Sequence, residues 1–579
     1  MCNGDVTDGT NKIIWASTPP TAGRVGDITI NTVPVSGGYA FWTCTVTGNP
    51  ATWVGAGVIN VSTLPVYYVD TAGSDSNDGS QAHPFQSVHK AALVATAGTI
   101  HVNPGTYTEN SAILLHTGVV LEGNGSANTT LQAASGYHAN PFINMTSTAQ
   151  GIQGNQEIRN LAILGNNTTA YVAVNCKKRD NVSIHDCTIR DFRYYAIHVS
   201  SATASNEQTE PPIYQSNVNI YNNTITNCSE HYSTWVYGAI YIHGLKDSSI
   251  YNNTMTETSR GAGSGECISF EDTGWLKNLK IHDNTLTTVE NTDNMTFAIE
   301  LWNSQGIEIY NNTITGNLNF DTASKGSYAY SVNIHNNTIG YNSQSTTYNK
   351  GISTDGSISD FYVRYNIIKN MHNGVYMYLR VPLSKDTGDL SLANIYIDYN
   401  LFDGIGKVND TGKAIVFDGA DMTSWATNIK FRNNTVYNRY NTMDTAVGFK
   451  VFGTTGHWTN FYAQNNIISA PSSANNTAPA WCWSGGTGAA LAGVYWQNND
   501  SYQCGNSNNF LNSLPASSFT SSNNIATDPA FVSTSTSDFH LQASSGAKTA
   551  GLALGNPTLT DIEGKTIPIS NPSMGCYQY

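Results

Sequence analysis

The stretch Asn219-Ile220-Tyr221-Asn222-Asn223-Thr224-Ile225 decides the fold, because its pattern returns many times along the chain. Close copies begin at Ser249, Lys280, Glu308 and Asn333, and weaker copies surround Asn366, Asn400, Asn434 and Asn466. Successive copies lie 25 to 34 residues apart. That period is typical of a solenoid in which each repeat forms one coil.

Each copy carries the features of a short strand followed by a corner. Apolar residues alternate with polar ones, so one face of the strand is expected to be buried. The Asn-Asn pair tolerates left-handed backbone conformations and can therefore turn the chain. When coils stack, the Asn side chains are expected to hydrogen-bond to one another as a ladder.

A second alternating strand precedes most copies. It occupies residues 196–199, 239–242, 267–270, 298–301, 351–354, 374–377, 414–417 and 446–449. The compact segment 317–321 is placed by spacing alone as one more such strand. Each coil is thus predicted to contain a strand, a short turn, a second strand, the Asn turn, a short third strand and a variable loop.

The composition limits the class of function. Only 12% of the 579 residues are charged, and the net charge is −14. Nucleic acids and anionic membranes are unfavourable partners for such a surface, because both require basic patches. No stretch approaches the ~20 apolar residues of a membrane span. The best candidate for a helix is the segment 85–94.

The two ends of the repeat region carry further recognisable segments. Tyr67-Tyr68-Val69-Asp70 leads into Gly98-Thr99-Ile100-His101-Val102 and Pro104-Gly105-Thr106-Tyr107, and Asp528-Pro529-Ala530-Phe531 begins the last segment. With the repeats at about residues 155–510, the chain resembles the pectin-lyase-like superfamily. This superfamily includes pectate lyases, polygalacturonases, alginate lyases, β-helical glycosidases and phage tailspike depolymerases. The resemblance implies an all-β fold, a right-handed single-stranded parallel β-helix.

Three parts are predicted along the chain. Residues 1–62 form a small N-terminal β module, residues 63–525 the β-helix with its N-terminal cap, and residues 526–579 a C-terminal capping segment. The module resembles ones in phage tail proteins and bacterial surface proteins. It could serve attachment, bind carbohydrate or simply plug the end of the solenoid.

The resemblance also predicts where a substrate lies, because in this superfamily it follows the outer face of the strand before the first turn. Aligning those strands by their buried Ile and Val residues gives two outward columns. The first column contains His198, Tyr241, Ser269, Glu300, Asn319, Ser353, Tyr376 and Val416. The second column contains Ser200, His243, Glu271, Trp302, Asp321, Asp355, Tyr378, Asp418 and Lys450.

Four carboxylates in these columns are the predicted catalytic residues. Glu271, Glu300, Asp321 and Asp355 fall within four consecutive rungs. Like charges this close repel and raise the pKa of at least one member. Glycoside hydrolysis needs one protonated and one ionised carboxyl group, so a glycoside hydrolase is predicted. Retention and inversion of configuration both remain open.

The other polar and aromatic column residues are predicted to bind substrate. They are His243, Tyr241, Trp302, Tyr376, Tyr378, Arg380 and Lys450. Several of them would equally suit a polysaccharide lyase, whose β-elimination needs a base and a group that neutralises the uronate carboxylate. Four acidic residues would repel a uronate chain unless calcium bridged them. A non-catalytic glycan-binding tail or surface protein is the third alternative, since the fold does not decide function.

The expected partner is a polysaccharide or oligosaccharide. No metal site is predicted and no cofactor is required, with calcium left open for the lyase alternative. The protein is expected outside cells, whether secreted, on a cell surface or on a virion. It is expected to be a monomer or a homotrimer.

Overall fold

The protein is described by a computed structural model. Side chains are described for residues 64–201, 210–229, 238–257, 265–270, 274–288, 297–320, 329–378, 392–410, 412–418, 426–440, 459–469, 493–504, 520–555 and 559–579, and elsewhere only the backbone of certain strands is described. The chain divides into two compact units, Met1–Pro65 and Val66–Tyr579. No described helix is long and apolar enough to cross a membrane.

The first unit is a small mixed β-sheet whose strands are ordered as in the chain. Its five strands are Val6–Thr7, Lys12–Ala16, Ile28–Asn31, Tyr39–Val46 and Thr52–Val58. The second and third strands pair in parallel, and the other neighbours pair antiparallel. The role of this unit stays a prediction.

The second unit consists mainly of three long parallel sheets, here called sheets 1, 2 and 3. Sheet 1 contains Ile113–Leu114, Ile143–Thr146, Val172–Lys177, Tyr195–Ser200, Gly238–His243, Glu266–Phe270, Ile299–Trp302, Leu318–Asp321, Lys350–Asp355, Asn373–Tyr378, Gly412–Gly419, Met443–Val451, Trp481–Ser484 and Leu511–Asn512. Sheet 2 contains Val66–Val69, Gly98–Val102, Val119–Gly123, Ile152–Arg159, Arg179–His185, Gln215–Ser216, Val218–Tyr221, Leu245–Tyr251, Leu276–His282, Ser304–Tyr310, Ala329–His335, Ile358–Arg364, Ser391–Asp398, Trp425–Arg432, His457–Gln464, Ala490–Gln497 and Phe519–Ser522. Sheet 3 contains Gly105–Glu109, Thr129–Ala133, Ala162–Leu164, Thr188–Arg190, Thr224–Thr226, Thr254–Glu257, Thr285–Thr288, Thr313–Thr315, Thr338–Gly340, Ile367–Lys369, Leu401–Asp403, Thr435–Tyr437, Ile467–Ser469 and Asp500–Tyr502.

The order of strands within a coil is the predicted one. The chain passes from sheet 1 through a short turn to sheet 2, then through the Asn turn to sheet 3, and returns to sheet 1 by a loop of variable length. Every strand pairs in parallel with its equivalent in the next coil. The predicted right-handed parallel β-helix is therefore confirmed.

The interior of the solenoid is filled by the alternating apolar side chains. One continuous core of Ile, Val, Leu and Phe residues runs through the stacked coils. Ile299 and Ile352 are fully buried in it. Because successive side chains of a strand point to opposite faces, the neighbours of these residues in sheet 1 point outward.

The Asn ladder predicted for the corner is present and continuous. The first residue of each pair has a left-handed backbone, with φ of 54° at Asn222 and 55° at Asn311. The second residue is buried. Its amide nitrogen donates to the side-chain oxygen of the equivalent Asn one coil later, at 3.0 Å from Asn284 to Asn312 and 2.9 Å from Asn312 to Asn337. The ladder residues are Asn223, Asn253, Asn284, Asn312, Asn337, Asn366, Asn400, Asn434, Asn466, Asn499 and Asn524.

A single short α-helix, Val88–Val94, is found among the described residues, inside the predicted segment 85–94. Its first turn is capped by the Ser87 hydroxyl, which accepts from the Lys90 amide at 3.1 Å. Val88, Ala91 and Ala92 are buried against the first coil. The helix therefore covers apolar residues at the N-terminal end of the solenoid.

The last segment folds back along the side of the solenoid. Phe539, Cys576 and Tyr577 pack with Leu401, and Met574 packs with Ile467. This segment is also hydrogen-bonded to a coil, since the main-chain amide of Cys576 donates to the Thr435 hydroxyl at 3.1 Å. The described part of residues 526–579 thus lies against several coils at the sheet 3 side.

Candidate functional site

The strand pairing of sheet 1 has the predicted register of the two columns wherever that pairing is described. Glu300 pairs with Asn319, Asn319 with Ser353, and Ser353 with Tyr376. The second column runs from Trp302 through Asp321, Asp355, Tyr378 and Asp418 to Lys450. The strand at Leu318–Asp321, which sequence spacing alone had located, lies in this register.

The predicted site residues differ in how far the structure describes them. Glu271 and Arg380 lie outside the described residues, and only the strand backbone is described at Asp321 and Lys450. The side chains of Glu300, Trp302, Asp355, Tyr241, Tyr376 and Tyr378 are partly exposed on the outer face. His243 is 1% exposed, so the structure does not support its predicted contact with substrate.

Much of the predicted outward first column is covered by neighbouring side chains rather than open to solvent. Ser269, Asn319 and Ser353 are all buried. Their short side chains bond to neighbouring rungs: the Ser353 hydroxyl donates to the Asn319 side-chain oxygen at 2.7 Å, and the Asn319 amide donates to Glu300 at 3.2 Å. Ser353 and Asn319 therefore form a chain of hydrogen bonds that ends at the Glu300 carboxyl group.

Glu300 is the central titratable group of this face. Its Oε1 also accepts a hydrogen bond from the Trp302 indole nitrogen at 3.4 Å. Burial raises the pKa of the Glu300 carboxyl to about 7, and the hydrogen bonds that it accepts only partly offset this shift. A carboxyl group with such a pKa holds its proton for a large fraction of the time at neutral pH.

A second carboxyl group, Glu266, lies next to Glu300 and was not predicted from the sequence. It is fully buried at the start of the strand Glu266–Phe270. Burial, and then the charge of Glu300, raise its pKa well above the usual value. Its carboxyl group lies beside the Phe297 main-chain amide, the Ser269 hydroxyl and Glu300, although neither oxygen reaches full hydrogen-bond geometry. Burial therefore disfavours the ionised form of Glu266, and a negative charge there would repel the ionised form of Glu300.

The sequence did contain a signal for Glu266. Counting by twos from the buried Ile268 would assign Glu266 to the interior face of its strand, whereas in the structure its carboxyl group lies beside Ser269 and Glu300 of the first column. A carboxylic acid at an interior position is rarely tolerated without a functional or structural reason. The predicted strand begins at Cys267, so Glu266 is absent from both predicted columns.

A second polar cluster lies further along the same face. The Tyr376 hydroxyl donates a hydrogen bond to Asp418, which is buried. The Lys350 ammonium group lies 4.5 Å from the centre of the Tyr376 ring. Burial, followed by the hydrogen bond to Asp418, raises the pKa of Tyr376 far above that of a free phenol. Tyr376 therefore stays protonated at neutral pH.

Two of the predicted aromatic binding residues already have ring partners. Trp302 stacks on Phe270 with centroids 4.3 Å apart, and Tyr241 stacks on Tyr195 at 4.6 Å. A stacked ring keeps one face and its edges available, and the stack fixes its orientation. Among the described residues, no group of His, Cys, Asp and Glu is arranged to hold a metal ion.

We expect Glu266→Gln to stabilise the protein at alkaline pH. The folded state raises the pKa of Glu266, so the unfolded chain releases this proton first, near the ordinary value of 4.5. The folded state is therefore destabilised relative to the unfolded chain as pH rises above about 4.5. Gln has no proton to release, so the variant does not lose stability in this way. The expected gain at pH 8 is on the order of 1–3 kcal/mol, shrinking toward zero at pH 4. Thermal unfolding at the two pH values measures it.

The matched control is Asp247→Asn, which changes an exposed carboxylate on sheet 2 and keeps a side-chain oxygen to accept the hydrogen bond from Asn278. It is expected to leave the pH dependence of the melting temperature unchanged. Equal stability of Glu266→Gln and the parent protein at pH 8 would contradict the assignment of a buried, protonated Glu266.

The similarity of this chain to known proteins is limited to part of its sequence and to its fold. A family model described as a protein of unknown function (DUF1565) matches residues 71–287. No curated protein is significantly similar in sequence to this chain.

Several solved structures share the architecture at low identity. The A-module of the Azotobacter vinelandii mannuronan C-5 epimerase AlgE6 is 13% identical with a TM-score of 0.37, covering 69% of this chain and 97% of its own. The Pseudomonas phage phi297 tailspike gp61 is 11% identical with a TM-score of 0.42, covering 68% and 76%. The catalytic unit of a GH87 α-1,3-glucanase from Streptomyces thermodiastaticus is 14% identical with a TM-score of 0.34, covering 79% and 66%.

Proposed function

We propose that this protein is a glycoside hydrolase that cleaves a largely neutral polysaccharide along the outer face of sheet 1. The observation that carries the proposal is the carboxyl group of Glu300. It is partly exposed on this face, its pKa is raised to about 7, and the buried carboxyl of Glu266 lies behind it.

Glu300 is assigned the role of general acid. A general acid must hold a proton at the working pH and release it to the leaving oxygen, which favours a pKa near the ambient pH. Glu266 is assigned as a positioning residue, because it is fully buried and acts on substrate only through Glu300. The Trp302 and Asn319 donors hold Glu300 Oε1 from two sides.

The general base is assigned to Asp321 or Asp355. The Cα atom of Asp321 is one rung and two residues along the strand from that of Glu300. The Cα atom of Asp355 is two rungs and two residues away. With roughly 4.8 Å per rung and roughly 7 Å per two residues, the Cα atoms are about 8 Å and about 12 Å from that of Glu300. Side chains leaning toward each other from these positions can reach the ~6.5–9.5 Å carboxyl separation of inverting enzymes.

The reaction balances with these two groups alone. A water molecule gives one proton to the aspartate as its oxygen attacks the anomeric carbon. The glycosidic C–O bond breaks, and its oxygen takes the proton of Glu300. The products are two shorter sugars with a new reducing end, and exchange of protons with solvent restores both carboxyl groups.

The charge of this face supports a neutral substrate. Glu300, Asp321, Asp355 and Asp418 all belong to the two outward columns. A uronate polymer would meet the partly exposed carboxyl groups of Glu300 and Asp355, and no cation site is formed by the described side chains. Trp302, stacked on Phe270, offers a fixed aromatic surface for a sugar ring.

The lyase alternative finds no support from its best-described base. β-Elimination requires a base that can give up its proton at working pH. The raised pKa of Tyr376 and its hydrogen bond to Asp418 both oppose this role. The described residues therefore favour hydrolysis over elimination, and a purely glycan-binding protein has no need of the Glu266–Glu300 pair.

Product analysis tests the reaction type. We expect new reducing ends without near-ultraviolet absorbance, because hydrolysis creates no double bond. Asp321 and Asp355 belong to strands that pair with a neighbour on each side, so Asp321→Asn and Asp355→Asn are not expected to disturb the fold. The variant that lacks the base should lose roughly 10²–10⁴-fold in kcat. The other variant should show a smaller loss, mainly in KM.

Asp360→Asn on sheet 2 is the matched control, since it changes an outward carboxylate away from this face and should retain full activity. Full activity of both Asp321→Asn and Asp355→Asn would refute the assignment of the base. An ultraviolet signal that disappears on calcium chelation would replace hydrolysis by elimination.

A polysaccharide-cleaving enzyme of this kind is expected to act outside cells, whether secreted, cell-surface or carried on a virion. Its oligomeric state, monomer or homotrimer, stays a prediction that sedimentation of the purified chain would decide.

A further inference from the structure

A second side-chain ladder runs along the outer face of sheet 2, at a position where each strand has a left-handed residue. Asn217, Asn278, Asn394 and Asn428 have φ between 49° and 56°. Their amides donate to the equivalent residue one coil earlier, as from Asn278 to Asp247 at 2.8 Å and from Asn394 to Asp360 at 2.9 Å. This ladder lies on a different sheet from the Asn turn and from Glu300.

The ladder is interrupted at two consecutive coils. The equivalent residues there are Gly306, with φ of 64°, and Ser331, with φ of 55°. Because Gly306 has no side chain and Ser331 a short one, the surface opens into a groove of about 500 Å³. That volume lies within the usual range for small-ligand sites.

Tyr362 closes the groove at its C-terminal end. The ring stacks on Tyr396 of the following coil, with centroids 4.8 Å apart. The residue paired with Tyr362 in the preceding coil is Asn333, which has no ring. The face of Tyr362 that points toward the groove is therefore not covered by another aromatic side chain, and a pyranose ring can lie flat on it.

Polar side chains surround this ring. Asn333 lines the groove, and its side-chain oxygen is buried without a hydrogen bond in the part of the chain that the structure describes. Lys280 and Glu308 form an ion pair of 3.2 Å at one side. Arg364 lines the other side, 4.5 Å from the Tyr362 ring and 3.5 Å from Asp398.

The chemistry of the groove selects its ligand. An aromatic face with nearby amide, carboxylate and cationic groups suits a ligand that is flat on one side and rich in hydroxyls. Lys280 pairs with Glu308, whereas Arg364 shares Asp398 with the closer Arg432, so a single positive charge is left in excess, too little to select a polyanion. We propose that this groove on sheet 2 is a second, non-catalytic binding site for a neutral sugar unit of a polysaccharide.

The interrupted ladder supplies a sharp test, because Gly306→Asn restores the residue that neighbouring coils carry. Asn accepts a left-handed backbone readily. The added Cβ would lie 2.6 Å from the side-chain oxygen of Asn278, which is flexible and can shift, and at an ordinary contact distance of 3.6 Å from the Asn278 backbone. The variant is therefore expected to fold with an unchanged melting temperature while its side chain fills the groove.

Gly493→Asn is the matched control. Gly493 occupies the same ladder position near the C-terminal end of sheet 2, with φ of 66°, and its added Cβ would meet the Asn460 oxygen at 3.0 Å. It therefore makes the same chemical change at the same backbone conformation, away from the groove.

Binding is measured by affinity electrophoresis in native gels containing a mixed-linkage β-glucan, an arabinoxylan, a dextran or, as the anionic member, alginate. All variants carry Glu300→Gln so that cleavage at sheet 1 does not alter the gel. At least one neutral polysaccharide should retard the protein. Gly306→Asn and Tyr362→Ala should each weaken that retardation at least fivefold, and Gly493→Asn should not.

Three results would overturn the site: no retardation by any neutral polysaccharide, retardation that Gly306→Asn leaves intact, or equal weakening by Gly493→Asn. Because the readout is binding, it stands apart from the hydrolase proposal. Loss of catalysis in Glu300→Gln tests the face on sheet 1, and the Gly306 comparison tests only sheet 2.

Discussion

Glu300→Gln is expected to lower kcat/KM by roughly 10²–10⁴-fold on a polysaccharide with a poor leaving group. Gln keeps the size of the side chain and can still accept from Asn319 and Trp302. It has no acidic proton to give to the glycosidic oxygen. The loss should therefore fall on kcat with little change in KM, which initial-rate measurements of reducing ends will separate.

The parent enzyme should also show an alkaline limb that belongs to the Glu266–Glu300 pair. The acid works only while protonated, so kcat/KM should fall as pH rises through about 7. In Asn319→Ala, Glu300 loses a hydrogen bond that stabilises its ionised form. Its pKa should rise, and the alkaline limb should move to higher pH.

The control for Glu300→Gln is Glu563→Gln, which should keep full activity. Retention of more than a tenth of the parent activity by Glu300→Gln, with an unshifted pH profile, would remove Glu300 from the role of general acid.

Asn312→Ala is expected to cost roughly 3–5 kcal/mol of stability, one of the largest effects of a single substitution in the solenoid. The Asn312 amide donates to the Ile281 carbonyl at 2.9 Å and to the Asn337 oxygen at 2.9 Å. Its own oxygen accepts both the main-chain and the side-chain amide of Asn284. Truncation removes this partner from the Asn284 amides and the Ile281 carbonyl, and it leaves the Asn337 oxygen with only the main-chain amide of residue 312.

Denaturant unfolding followed by far-ultraviolet circular dichroism measures this cost. Asn311→Gly is the matched control, because Asn311 has φ of 55° and its side chain is exposed. Gly adopts that conformation without strain. Asn311→Gly should therefore change the free energy of unfolding by less than about 1 kcal/mol. An equal cost for both variants would assign the effect to the turn rather than to the ladder.

The sequence predicted the solenoid and the register of sheet 1 because both depend on strict periodicity. A slip of one residue would expose Ile299 and Ile352, so the apolar alternation admits one alignment. An Asn likewise marks every corner from Asn223 to Asn499, in most coils as the second residue of an Asn pair. Even the short strand at Leu318–Asp321 followed from spacing between these marks.

Burial and coupling across coils were not predictable in the same way. The two-residue alternation along each strand predicts that Ser269 and Asn319 point outward, but it does not predict that neighbouring side chains cover them. The partnership of Glu266 with Glu300 joins residues 34 positions apart on different rungs, and no local pattern indicates it. The same holds for His243, whose outward parity predicted exposure although the side chain is buried.

The folded-back tail changes how the solenoid responds to mechanical load. In a plain stack of coils, a pull on the last residue peels one rung at a time, with few hydrogen bonds resisting at any moment. Here the main-chain amide of Cys576 donates a hydrogen bond to the Thr435 hydroxyl, and Tyr577 packs with Leu401. Tension on Tyr579 therefore enters the stack several rungs from its end, and the contacts along the tail must shear together before any rung unwinds.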